Sequence, residues 1–215
     1  MSRNVYNTLI PWQLSVYIIT KVCSGRSELE SAPPNPDNVP DHCMNASAGP
    51  KSNGDPPPVS LRPEQPGDEG FLFDVYAGTR EAELALTNWD GPMRRAFLNQ
   101  QFNAMRQGYR SMFPSGEFLI IELDGLAAGR MVINRGAIEI RVVDLALLPA
   151  HRNRGIGTRL MRQVCADAAA AGTPVRLCVL KNNRALRWYE RLGFTKIGEQ
   201  GFYHELEWRP PPGSA

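Results

Sequence analysis

From Val59 onward the chain predicts a single mixed-sheet α/β domain with helices on both faces, and three observations carry that expectation. Strand-like and helix-like apolar periods follow one another in the order βααβββαβαββ. A strongly apolar run, Val142 to Leu148, stops at Pro149 and passes through Arg152-Asn153-Arg154-Gly155-Ile156-Gly157-Thr158 into an amphipathic helix. A second apolar run, Val175 to Leu180, leads into a short helix that ends at Gly193.

The elements follow in order. Val59 to Arg62 alternates like a first strand, and Pro63 to Gly70 is loop-like. Phe71 to Leu86 and Arg94 to Met112 read as helices, the second carrying Phe97, Phe102, Met105 and Met112. Between them, Asn88-Trp89-Asp90-Gly91-Pro92 reads as a breaker cluster and a mobile-loop candidate. Phe118 to Leu123 and Ala127 to Ile133 form a hairpin about Asp124-Gly125. A turn at Asn134 to Gly136 precedes a long strand from Ile138 to Leu148. The phosphate-loop helix, a strand at Val175 to Leu180, a helix at Asn183 to Leu192, and strands near Thr195 to Gly198 and Phe202 to Trp208 complete the order.

In the long strand, Ile138, Ile140 and Val142 share one parity and Val143, Leu145 and Leu147 the other. A β-bulge at Val142–Val143 would produce that switch, because one extra residue reverses the face that later side chains occupy. A central strand apolar on both faces would show the same pattern.

The 152–158 stretch reads as an anion site. The first turn of a helix has unsatisfied N–H groups and a partial positive charge. Gly155 and Gly157 let a ligand approach the backbone, while Arg152 and Arg154 add full charges. A dinucleotide fingerprint would need glycine where Leu160 stands, and no Gly-Lys-Ser/Thr triplet makes a P-loop. Gly-x-Gly alone also fits an ordinary loop. In the second stretch Asn182 or Asn183 can cap the helix, and Ala185, Trp188, Tyr189 and Leu192 share a face. Taken alone, Tyr189 reads equally as a packing residue.

In this order, with Gly157 and Asn182 25 residues apart, the two stretches resemble the GNAT superfamily of N-acetyltransferases. The family's pyrophosphate motif, Gln/Arg-x-x-Gly-x-Gly/Ala, is matched by Arg152 to Gly157. Its second motif, Asn then Ala, then Tyr, then Gly-Phe, is matched by Asn182 or Asn183, Ala185, Tyr189 and Gly193-Phe194. The resemblance spans Val59 to Trp208 and implies a GNAT-like α/β fold with a mixed, largely antiparallel central sheet. It also implies transfer of an acetyl group from acetyl-CoA to a primary amine, with no metal.

The resemblance assigns residues to roles. Backbone groups of Leu145, Ala146 and Leu147 would contact the pantetheine arm, where the strand splays from Val175–Leu180. Arg152, Asn153, Arg154, Gly155, Ile156, Gly157 and Thr158 would hold the pyrophosphate, with Asn182, Asn183 and Tyr189 completing the cofactor site. An N–H near Leu145 or Leu147 would stabilise the developing oxyanion. Tyr189 matches the general-acid position; a tyrosine, with an ordinary pKa of about 10, carries a proton for the departing thiolate at neutral pH. The base stays open between Glu139, Asp144 and a chain of waters, since Leu177-Cys178-Val179-Leu180 holds no carboxylate. Each carboxylate also reads as a structural pairing group.

Composition bounds the alternatives. A formal net charge of +2 over 215 residues gives no reason to expect nucleic acid or an anionic membrane as partner. Cys23, Cys43, Cys165 and Cys178 lack metal-ligand spacing, and His42, His151 and His204 are scattered. Ten of the 18 prolines lie between Pro33 and Pro66, and Ser24 to Pro58 is poor in aliphatic residues, so residues 1–58 read as a disordered extension. The expected domain is 59–209, followed by a tail at 210–215. Val5 to Cys23 offers no uninterrupted apolar span of about 18 residues and poor signal-peptide architecture, leaving a partner-binding helix or a segment outside the selected fold. A cytoplasmic location follows, and a homodimer is compatible. Two other function classes remain: a non-catalytic acyl-CoA sensor, and an interaction protein recruited through the extension.

Overall fold

The computed structural model describes residues 58–211 apart from 86 and 184. The expected extension, up to residue 57, and the last four residues of the expected tail lie outside the described residues. The strands are β1 (Val59–Pro63), β2 (Glu117–Leu123), β3 (Leu126–Arg135), β4 (Ile140–Leu147), β5 (Val175–Leu180), β6 (Thr195–Gln200) and β7 (Tyr203–Trp208). The helices are α1 (Glu69–Leu84), α2 (Gly91–Met112), α3 (Ile156–Ala170) and α4 (Leu186–Arg191). The seven strands form one open sheet in the order β1-β2-β3-β4-β5-β7-β6. Every neighbouring pair is antiparallel except β4 and β5, so the sheet is mixed, as the element order implied, and largely antiparallel, as the resemblance implied.

Local chemistry explains most boundaries. Asp124 and Gly125 both take positive φ, 54° and 76°, the backbone a two-residue hairpin turn requires. Asp90 caps α2, its Oδ1 accepting the Met93 N–H at 2.8 Å, and Pro92 sits in the first turn, where a missing N–H costs nothing. Asn88, Trp89 and Asp90 lie between the two helices as expected, while Gly91 and Pro92 open α2 three residues before the expected Arg94. β4 begins at Ile140 and not at Ile138: the Gly136 N–H bonds to the Glu139 carbonyl at 2.9 Å, closing a turn that leaves Ile138 82% exposed. α4 is shorter than Asn183–Leu192, because Asn183 uses its Oδ1 to accept the Ala185 N–H in a turn preceding the helix.

The register switch in β4 is a bulge. Val132 pairs with Asp144 and Ile133 with Val142, so Val143 is the extra residue. Ile140, Val142, Leu145 and Leu147 consequently lie opposite Arg135, Ile133, Met131 and Gly129, which share one face of β3. Without the extra residue, Leu145 and Leu147 would turn to the other face. Both faces are nonetheless covered: every residue from Val142 to Leu147 is buried. Met131, Ile133, Leu145, Leu147, Met161 and Tyr189 are among the largest fully enclosed side chains, each worth roughly 1.5–3 kcal/mol in transfer from water.

Candidate functional site

β4 and β5 pair only at Ile140–Val175 and Arg141–Arg176, while β5 stays paired to β7 along its whole length. Beyond Arg141 a wedge opens between the two parallel strands toward their C-terminal ends. The Leu148 N–H bonds to the Ala128 carbonyl at 2.9 Å, so by antiparallel alternation Asp144 and Ala146 also face β3 with their peptide groups. Leu145 and Leu147 therefore present their N–H and C=O groups to the wedge. The Leu147 carbonyl accepts from Arg152 Nε at 3.0 Å.

The end of the wedge meets the N-terminus of α3. After a 3₁₀ turn at Pro149–His151 the chain takes positive φ at Asn153 (58°) and Gly155 (78°) before α3 begins. A Cβ on Gly155 would meet nothing within 4 Å, so glycine serves the left-handed backbone and the open space in front of it. No side chain caps α3, which leaves its first-turn N–H groups directed at whatever enters.

Arg152 departs from its expected position beside a ligand. Its NH2 group donates to the Gly78 carbonyl at 3.0 Å while Nε holds Leu147, so it ties α1 to the end of β4. Burial lowers its pKa, partly offset by Glu81. Asn153 and Arg154 are exposed; Ile156 and Gly157 are buried.

The second stretch packs against the first. Trp188 Nε1 donates to Thr158 Oγ1 at 3.0 Å, a direct bond between α4 and the start of α3. Tyr189 is fully buried, its ring centroid 4.6 Å from that of Trp188 and 5.6 Å from that of Phe194. Gly193 takes φ 90° just past the end of α4, the left-handed residue expected there. A Cβ on it would press on the Trp208 ring at 3.2 Å. Asn182 is exposed.

The two candidate bases are each tied to arginines. Glu139 lies at the opposite end of β4, bonded to Arg141 at 2.8 Å and Arg176 at 3.0 Å. Asp144 is fully buried and lies 2.6 Å from Arg130. Burial pushes its carboxyl above the ordinary aspartate range, against the opposing pull of Arg130.

Three further residues belong to the neighbourhood. Arg159, Arg162 and Gln163 line an open pocket of about 500 Å³ together with Gly155 and Thr158. Their i, i+3, i+4 spacing on the polar side of α3 was the available signal. Among the described residues no group of three or more His, Cys, Asp or Glu is placed to hold a metal, and no helix is long and apolar enough to cross a membrane.

Comparisons with known proteins agree with this geometry. Residues 114–196 match the family model described as acetyltransferase (GNAT) domain. No curated protein matches the sequence. Among solved structures, the fold is similar to that of the PaiA N-acetyltransferase of Thermoplasma acidophilum in complex with coenzyme A, with a TM-score of 0.54 and 18% identity over 71% of this chain and 99% of that one. PH1933 of Pyrococcus horikoshii OT3 gives a TM-score of 0.53 at 18% identity, over 72% of this chain and 99% of that one. An acetyltransferase of Thermus thermophilus gives 0.53 at 19%, over 71% and 97%. Residues 114–196 thus match the GNAT acetyltransferase domain that the two motifs resemble, and the fold is similar to that of these solved structures.

Proposed function

We propose that this chain is an N-acetyltransferase that moves an acetyl group from acetyl-CoA to a primary amine. The observation that carries the reading is the wedge between β4 and β5 that runs onto the uncapped start of α3. The peptide edges of Leu145 and Leu147, with Ala146 between them, suit an amide-bearing arm that adds to the open side of the strand. The first-turn N–H groups of Ile156, Gly157 and Thr158, with Asn153, Arg154 and Gly155, suit a pyrophosphate. Asn182 and Asn183 border the same end, and Arg152 contributes by holding the loop in place.

In the proposed step a neutral amine nitrogen forms a bond to the acetyl carbonyl carbon. A backbone N–H of Leu145 or Leu147 stabilises the charge that develops on the carbonyl oxygen. The carbon–sulfur bond then breaks, and the thiolate takes the phenol proton of Tyr189. Water takes the proton lost by nitrogen and returns one to the phenolate. Water is the preferred base because Glu139 and Asp144 both sit in arginine pairs. Residues 59–209 are the proposed catalytic unit, and the cytoplasm the proposed location.

The test is release of free thiol from acetyl-CoA by the purified chain with a panel of small-molecule, peptide and protein amines. Amine-dependent release supports the reading. Tight acetyl-CoA binding with no release above hydrolysis for any amine overturns it in favour of an acyl-CoA sensor.

A further inference from the structure

Arg152 belongs to the loop by sequence but turns away from it. Its half-buried guanidinium donates through Nε to the Leu147 carbonyl and through NH2 to the Gly78 carbonyl, each at 3.0 Å. The joint is close: a Cβ on Gly78 would meet Pro149 Cδ at 3.3 Å, so α1 rests directly on the turn that leaves β4. The two faces of the sheet show what lies beside that joint. Arg130 donates to Met105 Sδ of α2 at 3.1 Å, and the Tyr76 ring of α1 has its centroid 5.8 Å from that of Phe102 in α2. Helices α1 and α2 therefore cover the face that carries Arg130, and with it Asp144, Ala146 and Arg141. Arg141 extends this face to Glu205 of β7, at 3.0 Å. Gly193, just past α4, lies against the ring of Trp208, which points to the opposite face of β7 from Glu205. Tyr189 in α4, and α3, which Thr158 bonds to Trp188 of α4, thus lie on that opposite face. An acyl group at the end of the wedge has the donor loop and Tyr189 on one side, which leaves the side of α1 for the incoming amine.

We infer that Arg152 is a positioning residue for the amine and not a ligand of the donor: by holding Gly78 and Leu147 together it sets α1 against the C-terminal end of β4, and so fixes the entrance through which the acceptor reaches the acetyl group. The inference rests on the proposed transfer to an amine. A planar guanidinium presents its donors in a fixed fork and can bridge two carbonyls in one geometry, whereas an ammonium is a point charge that cannot. Displacing a reacting group by about 1 Å costs up to about 10²-fold in rate. The N–H groups proposed to hold the pyrophosphate are set by α3 itself, so they survive the loss of the bridge.

Thiol release by the full chain, with the most reactive amine of the panel, tests it in the parental protein, Arg152→Met and Arg152→Lys, alongside calorimetry with acetyl-CoA. At saturating acetyl-CoA, kcat/KM for the amine is expected to fall by about tenfold or more in Arg152→Met and by about threefold in Arg152→Lys. Acetyl-CoA affinity is expected to stay within about threefold of the parental value in both, with an unchanged salt dependence. Arg152→Lys keeps a donor for one of the two carbonyls, so it carries the test even where Arg152→Met is too unstable to assay. An acetyl-CoA affinity that falls in Arg152→Met and returns in Arg152→Lys overturns the inference, because Arg152 is then a charge on the donor, and it leaves the transfer reading standing. A parental kcat/KM for the amine in either variant overturns it as well. If the parental chain releases no thiol with any amine, the transfer reading falls and this inference with it.

Discussion

The two ends of the β4–β5 pair use the same strands for opposite purposes. At the N-terminal end, Ile140 and Arg141 pair with Val175 and Arg176, and charges lace the join: Arg141 reaches Glu139 and Glu205, and Arg176 reaches Glu139 and Glu207. At the C-terminal end no strand pairing remains, and a single arginine, Arg152, holds two carbonyls. An open wedge gives up ladder hydrogen bonds, and those lost bonds are what make backbone groups available to a ligand. The sheet tolerates this because β5 keeps its full pairing with β7 and because the other end is doubly secured. The bulge at Val143 lies where the strands begin to part, and a bulge bends its strand and increases its twist.

The largest effect is expected at the hinge between the two ends, where Asp144 follows the bulge and faces Arg130 in the interior. Arg130→Met leaves a buried carboxylate without its cation and is expected to lower the unfolding free energy by about 3–5 kcal/mol. Adding Asp144→Val removes the stranded charge, so the double variant should recover most of that loss. Urea unfolding reads both. A single variant as stable as the parent would mean the pair does not secure the hinge.

Next in size is the chemistry of the open end. Tyr189→Phe keeps the ring packed between Trp188 and Phe194 but removes the proton, so turnover should fall by about 10²-fold while acetyl-CoA affinity changes little. Turnover at saturating substrates, compared with directly measured affinity, separates the two. A parental rate in a variant whose chemistry is rate-limiting, as a burst experiment would establish, makes Tyr189 a packing residue.

Gly155→Val should weaken acetyl-CoA binding by about tenfold or more, because the new side chain occupies the space before the uncapped N–H groups. It also places a β-branched residue at φ 78°, which costs about 1–2 kcal/mol of stability. Calorimetry and thermal unfolding together distinguish these contributions. Unchanged affinity would remove the loop from the site.

Much of this comparison was legible in the residues alone. The order of elements was, because helix and strand periods are local, and the bulge was visible as a change of parity at Val142–Val143. So were the left-handed glycine after α4 and the meeting of the two motifs. What local patterns miss is where long side chains go. Arg152 sits in a stretch that reads as an anion site, yet it reaches back to Gly78, 74 residues earlier, which only the folded chain brings near. Glu139 and Asp144 flank the switch in sequence, but each finds its arginine on a neighbouring strand. The Asn88–Pro92 cluster separates the helices as expected, but α2 starts earlier than Arg94 because Gly and Pro interrupt a helix interior and not its first turn.

The smallest expected effect concerns acid, and it distinguishes the two ends most directly. Burial raises the Glu207 carboxyl, but hydrogen bonds from Arg176 and Arg209 together outweigh it and hold the group below the ordinary glutamate range. A depressed folded pKa means that the stabilisation is present above the ordinary glutamate value and is lost as pH falls through the folded value. Glu207→Gln is therefore expected to cost on the order of 1 kcal/mol near neutrality, since both arginines are partly solvated, and progressively less below about pH 4.5. At the open end, Arg152 donates to the carbonyls of Leu147 and Gly78, which do not titrate. The cost of Arg152→Met should accordingly vary less over the same range, since only the attraction of Glu81 changes there. Urea midpoints measured from pH 3 to 7 for both variants decide the matter. A flat Glu207→Gln profile would mean that carboxylate pairing does not hold the closed end together.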